Sequence, residues 1–116
     1  MDLNLNDELI ELFAEFFKKV AEGNRLRILL AINQEAKSVS EIIDSTELSQ
    51  PLVSFHLRVL REANIIQSQR EGTFVYYSLV DSKLVDELLV MLKHLEYFES
   101  EDIKIDFDLP FCTERR

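Results

Sequence analysis

The chain has 116 residues, 47% of them hydrophobic, with 22 acidic against 13 basic side chains and a formal net charge of −9. That length predicts one globular core and no second domain, and the acidic balance opposes indiscriminate nucleic-acid binding, which rests on attraction to phosphate. No apolar run reaches membrane-spanning length and the first residues are acidic, unlike a basic secretion signal, so a cytoplasmic protein is expected. A single cysteine, Cys112, excludes an intrachain disulfide and a multi-cysteine zinc site within one chain.

Asn6 is placed to cap a first helix that begins with Asp7 and Glu8 and ends near Lys18 and Lys19, an order of charge that complements the helix dipole, with Gly23 closing it. Leu9, Ile10, Leu12, Phe13, Phe16, Phe17 and Val20 are too many for one narrow stripe, so this helix is expected to bury two sides, one of them against another subunit. Asn24 is expected to cap a second helix with Leu26, Leu29 and Leu30 at helical spacing. Ser38 and Glu41 form the S-x-x-E capping box of a short third helix, tightly connected to a fourth that opens at Ser49. Two short helices joined this way make a helix-turn-helix.

The fourth helix, residues 49–61 (SQPLVSFHLRVLR), carries the most information. Ser49 can cap it, and Pro51 sits in the first turn, where its missing N–H costs nothing. At about 100° per residue, Val53, Leu57 and Leu60 share one side with His56 beside them. Pro51, Ser54, Phe55 and Arg58 share the other, with Gln50 at the tip. That outward face suits a DNA major groove, while an ordinary amphipathic helix with a solvated face would show the same periodicity. Charge is distributed accordingly. Residues 1–48 hold ten acids and five bases, and so do residues 81–116, whereas residues 49–80 hold Arg58, Arg61 and Arg70 against Glu62 and Glu71. Acidic flanks would suppress nonspecific binding and leave short-range contacts to act locally; greater burial of the middle third would give the same pattern.

After Asn64 the period changes to alternation. IIQSQR and TFVYYSL flank Glu71 and Gly72, where Gly72 can supply a positive φ, so a two-stranded wing is expected with Arg70 near its tip, in reach of a phosphate or the minor groove. Tyr76 and Tyr77 fall on opposite faces of the second strand. Helical period returns from Asp81, with Leu84, Val85, Leu88, Leu92 and Leu95 in one stripe ending near Phe98. The fold class expected is mainly α with a small β-hairpin, a winged helix-turn-helix over residues 1–100 that dimerises through its first and last helices, followed by an acidic tail over residues 101–116.

The motifs NRLRILLAI, SVSEII, LSQPLVSFHLRVLREANII and REGTFVYYSL occur in the order and spacing of the arsenic-repressor (ArsR-type) family of winged-helix regulators, which the chain resembles over roughly residues 13–98. The resemblance implies a homodimer, two recognition helices in successive major grooves of a palindromic operator on double-stranded DNA, and repression released by a signal. It places Gln50, Pro51, Ser54, Phe55 and Arg58 at the DNA and Arg70 in the wing. Phe55 departs from the polar or basic residue commoner at its position and could touch a thymine methyl. His56 reads as a satisfied structural histidine.

The family's metal sites are not expected here. Where many members have Cys-Val-Cys-Asp, this chain has Ser38, Val39, Ser40 and Glu41, with hydroxyls replacing two thiolates. A second family site, at the dimer helices, reads Asp81, Lys83, His94 and Tyr97, and two of its four ligand types remain; an N-capping Asp81 and an exposed His94 explain both without a metal. No metal or other cofactor is expected, the effector is unidentified, and Cys112 is a candidate redox residue ranked below an effector at the apolar junction of the terminal helices. No nucleophile, base and orienting group form a recognisable motif, so an enzyme is not expected. A protein-interaction module is the alternative that the acidic charge favours.

Overall fold

Asn6 opens the first helix through its side chain. In the structure, a computed structural model that describes residues 6–98 and side chains through residue 95, Asn6 Oδ1 accepts the Leu9 N–H at 2.8 Å and α1 runs Asp7–Val20. Asp7 and Glu8 occupy its first turn and Lys18 and Lys19 its last, each favourable toward the helix dipole. The exit differs from expectation. Ala21, not Gly23, follows the last helical residue, and its N–H donates to Phe17 O at 2.7 Å.

Gly23 is instead the first residue of α2 (Gly23–Ala31). The cap is Glu22 rather than Asn24, because the extended Glu22 backbone lets its Oε2 accept the Arg25 N–H at 2.9 Å. Asn24 lies inside the helix and accepts from Arg27 Nη1 at 3.0 Å. The capping box before α3 (Val39–Thr46) forms as expected: Ser38 Oγ accepts the Glu41 N–H at 3.3 Å, and Glu41 Oε1 accepts the Ser38 N–H at 2.9 Å. Ser49 caps α4 (Gln50–Glu62), with Pro51 in the first turn.

The sheet has one strand more than a hairpin. β1 (Lys37–Ser38), β2 (Ile66–Glu71) and β3 (Phe74–Leu79) lie antiparallel in the order β1-β3-β2. β1 pairs Lys37 with Tyr77 and Ser38 with Tyr76. Two residues are too few to display an alternating pattern, so this strand has no sequence signature. Glu71 pairs with Phe74 across the turn, and Gly72 takes φ 64°, the sign expected of it.

The chain divides into two compact units, Met1–Asp81 and Ser82–Arg116. In the first, Val20, Ile28, Leu29, Ile32, Ile42, Val53, Leu57, Leu60 and Ile66 are buried, joining α1, α2, the helix-turn-helix and the base of the wing. In the second, α5 (Leu84–Val90) starts three residues after Asp81, behind Lys83, with no side-chain cap. Asp81 is therefore not its N-cap. From Met91 to Phe98 the backbone tightens into a 3-10 helix. The apolar stripe could not foretell this, since spacings of three and four residues serve both helix types. Among the described residues no helix is long and apolar enough to cross a membrane; the acidic tail and Cys112 lie outside them.

The turn between α3 and α4 stores strain. Glu47 occupies the left-handed region at φ 60° and ψ 18° while donating its N–H to Ile43 O, and its side chain is exposed. Glu47→Gly should raise unfolding free energy by about 0.5–1 kcal/mol, and Glu47→Val should lower it. Urea denaturation of the two variants beside the wild type measures both, and equal midpoints would contradict the strain.

Candidate nucleic-acid interface

α4 separates its two faces as its sequence period requires. Val53, His56, Leu57 and Leu60 are buried, while Gln50, Pro51, Ser54, Phe55 and Arg58 are exposed. Phe55 keeps 46% of its surface accessible, a large apolar ring offered to solvent. The Arg58 guanidinium carbon stands 5.6 Å from its centroid, within range of a cation–π attraction. Ser54 and Arg58 also line a cleft with Val39, Leu57, Arg61 and Tyr77, so the structure brings Ser54, Phe55 and Arg58 into one group. Arg70 stands on another element, exposed on β2 opposite Val75.

Arg61 is the residue that reading the outward face overlooked. It lies three positions after Arg58 and seven after Ser54, and the helical wheel would have included it had the face been carried into the last turn.

Behind the exposed face, His56 retains 6% of its surface. Its Nδ1 lies 3.2 Å from Arg25 Nη1, and because a guanidinium only donates, Nδ1 accepts and the neutral ring carries its proton on Nε2, facing Glu22 Oε2 at 3.8 Å. Arg25 also donates to Lys18 O at 3.3 Å and, through Nε, to Lys19 O. One guanidinium thus ties the C-terminal carbonyls of α1 to the middle of α4. The Phe55 ring meets the His56 ring edge-on at 5.1 Å, so this cluster also supports the exposed group. The Arg25 backbone N–H holds the Glu22 carboxyl below its ordinary range; partial burial opposes this, and the neighbouring His56 and Arg25 side chains assist it.

The donor chemistry does not fit a thiolate-bound metal. Ser38 is buried and its hydroxyl is engaged in capping α3. In the second set Lys83 brings a cation to a ligand position.

A helix-turn-helix with a wing, exposing an arginine and an aromatic ring on its second helix, defines a DNA-binding regulator of the winged-helix class. The profile of the arsR family of bacterial regulatory proteins matches residues 22–68. An uncharacterized HTH-type transcriptional regulator of Methanocaldococcus jannaschii is 40% identical over 88 residues, covering 70% of this chain and 99% of that one. The HTH-type transcriptional repressor SmtB of Mycobacterium tuberculosis is 31% identical over 87 residues, 75% of this chain, which spans only 64% of the repressor's length. Among solved structures, the homodimeric winged helix-turn-helix DNA-binding domain of a Mycobacterium bovis protein superposes with a TM-score of 0.69 at 26% identity, covering 86% of this chain and 99% of the other. The chain belongs to the ArsR family of transcriptional regulators.

Arg25→Ala should cost about 1–3 kcal/mol of stability, because it leaves the buried His56 nitrogen and the α1 carbonyls without their donor. Urea unfolding checks it. Since the folded Glu22 carboxyl ionises at lower pH than in the unfolded chain, its contribution is fully present above the unfolded value and is lost as pH falls through the folded one. Glu22→Gln should flatten the acid limb of the stability–pH curve, read from urea midpoints across the acid range.

Proposed function

We propose that the chain is a homodimeric repressor that binds a palindromic operator, reading the major groove through Gln50, Pro51, Ser54, Phe55 and Arg58 and touching the backbone or minor groove with Arg70. The observation that carries this reading is the division of α4: one face holds the helix in the core, and the other leaves Ser54, Phe55 and Arg58 exposed together. Dimerisation is supported by α1, whose Ile10, Leu12 and Phe13 are 52%, 63% and 56% exposed, an apolar surface that a soluble monomer covers. Repression is inferred from SmtB, and dimer geometry from the homodimeric M. bovis domain. The signal is one other than a thiolate-bound metal, because Ser38 and Ser40 are hydroxyls. Catalysis plays no part in this reading, and the site of action is the cytoplasm. The net charge of −9 favours a second reading, a winged-helix module that binds other proteins.

Gel-shift titration with duplexes selected from fragments of the source genome distinguishes the two. Selective binding at moderate salt is expected, and Arg58→Ala should weaken it by about 1–3 kcal/mol if Arg58 reads a base. A folded protein that prefers no duplex supports the interaction module instead. Sedimentation should show a wild-type dimer at micromolar concentration and a monomer for Phe13→Asp.

A further inference from the structure

Arg58 and Arg61 line one cleft of about 140 Å³ between α4, the start of α3 and β3, together with Ser54, Leu57, Val39 and Tyr77. Among the described residues neither guanidinium has a carboxylate at salt-bridge distance, and the Arg61 side chain donates no described hydrogen bond. This is unusual in its setting: 22 acids accompany 13 bases in the chain, yet two cations three residues apart on a helix have no internal counter-charge. Like charges at that spacing cost a few tenths of a kcal/mol. Arg61 stands in the last turn of α4, where its charge complements the helix dipole and its carbonyl accepts the Asn64 N–H, yet no carboxylate among the described residues neutralises either guanidinium, which leaves the pair open to an anion from outside.

The lining indicates which anion. Two guanidinium forks and the hydroxyls of Ser54 and Tyr77 are donors, a set suited to the several oxygens of a phosphate. Leu57 and Val39 supply apolar walls, which strengthen charge–oxygen attraction by excluding water. The cleft also lies on the flank of the exposed α4 face that adjoins the sheet, where a duplex strand would pass if α4 entered the groove.

We propose that this cleft is a phosphate-binding site of the DNA interface, in which Arg61 and the Tyr77 hydroxyl hold one backbone phosphate on the wing side of α4. The proposal rests on the reading of α4 as the groove-entering helix. Arg58, between the cleft and Phe55, then joins the phosphate contact to the base-facing group. Arg61 contributes position and affinity and carries no sequence information.

The test uses the full chain, a selected genomic duplex, the same duplex scrambled, and inorganic phosphate. Arg61→Ala should weaken binding to both duplexes by a common factor and reduce the slope of log affinity against log salt by about 0.9, the share of one phosphate. Arg61→Lys should keep the slope, and Tyr77→Phe should lower affinity for both duplexes by a smaller common factor. An unchanged slope in Arg61→Ala overturns the proposal, as does a loss confined to the selected duplex, which would make Arg61 a base reader; an unaffected Tyr77→Phe removes Tyr77 from the site. Thermal melts of each variant confirm folding, and Arg61→Gln replaces the alanine variant if that one melts early. If the wild type selects no duplex, the groove reading fails separately and the phosphate arm decides. A saturable shift of the Arg61 Nε–H resonance on adding inorganic phosphate then retains the cleft as a site for free phosphate, and no shift overturns it.

Discussion

The contact on which the rest of the first unit depends is the Arg25 guanidinium held between the last carbonyls of α1 and the Nδ1 of His56 on α4. A buried imidazole needs partners for both nitrogens, and here Arg25 serves one while Glu22 faces the other. Lysine could not substitute, since a compact ammonium lacks the planar fork that reaches two carbonyls and a ring nitrogen together. Because Phe55 packs on His56 and Arg58 on Phe55, the orientation of the exposed group is set from behind, by residues that never meet solvent fully. The helix carrying the apolar outer surface and the helix carrying the exposed arginines are thereby fixed relative to each other.

In the proposed DNA complex, an acidic protein with Arg58 and Arg61 exposed on one helix uses charge over two distances. At physiological ionic strength charges separated by more than about 8 Å are largely screened. On the proposed reading, the acidic remainder of the chain weakens general attraction to a polyanion, while Arg58 and Arg61 would act at contact distance. The Lys18–Glu15 ion pair does little for the fold, since it is largely exposed and such pairs contribute between nothing and about 1 kcal/mol. In the middle of the chain Arg58, Arg61 and Arg70 are exposed and take part in none of the described salt bridges.

Helix starts show where local reasoning holds. Asn6, Ser38 and Ser49 all cap as their sequence positions suggested, because a short polar side chain reaches the backbone N–H three residues on without help from elsewhere. The entry to α2 did not follow that logic. Asn24 is the better cap by type, yet Glu22 takes the role, since the segment after α1 is extended at Glu22 and Arg25 is anchored to α1 and α4. At the other end of the chain, Asp81 is a good capping type, yet the N-cap position of α5 falls on Lys83.

The sequence by itself determined the helix-turn-helix, the wing hairpin, the inward and outward faces of α4 and the group Ser54, Phe55 and Arg58, because each follows from side-chain period, caps and a positive-φ glycine acting within a few residues. The hydroxyls of Ser38 and Ser40 at the positions of the family's thiolate pair are likewise a matter of residue type alone. Tertiary structure decided the rest. The third strand forms only when Lys37 and Ser38 meet Tyr77 and Tyr76, a pairing that two residues cannot announce. Arg25 and His56 are separated by 31 positions, and Arg61 joins Tyr77 in a cleft through the packing of α4 against the sheet. Contacts between distant segments leave no local period in the chain, so what binds His56 and what lines the cleft became visible only once the fold had brought those residues together.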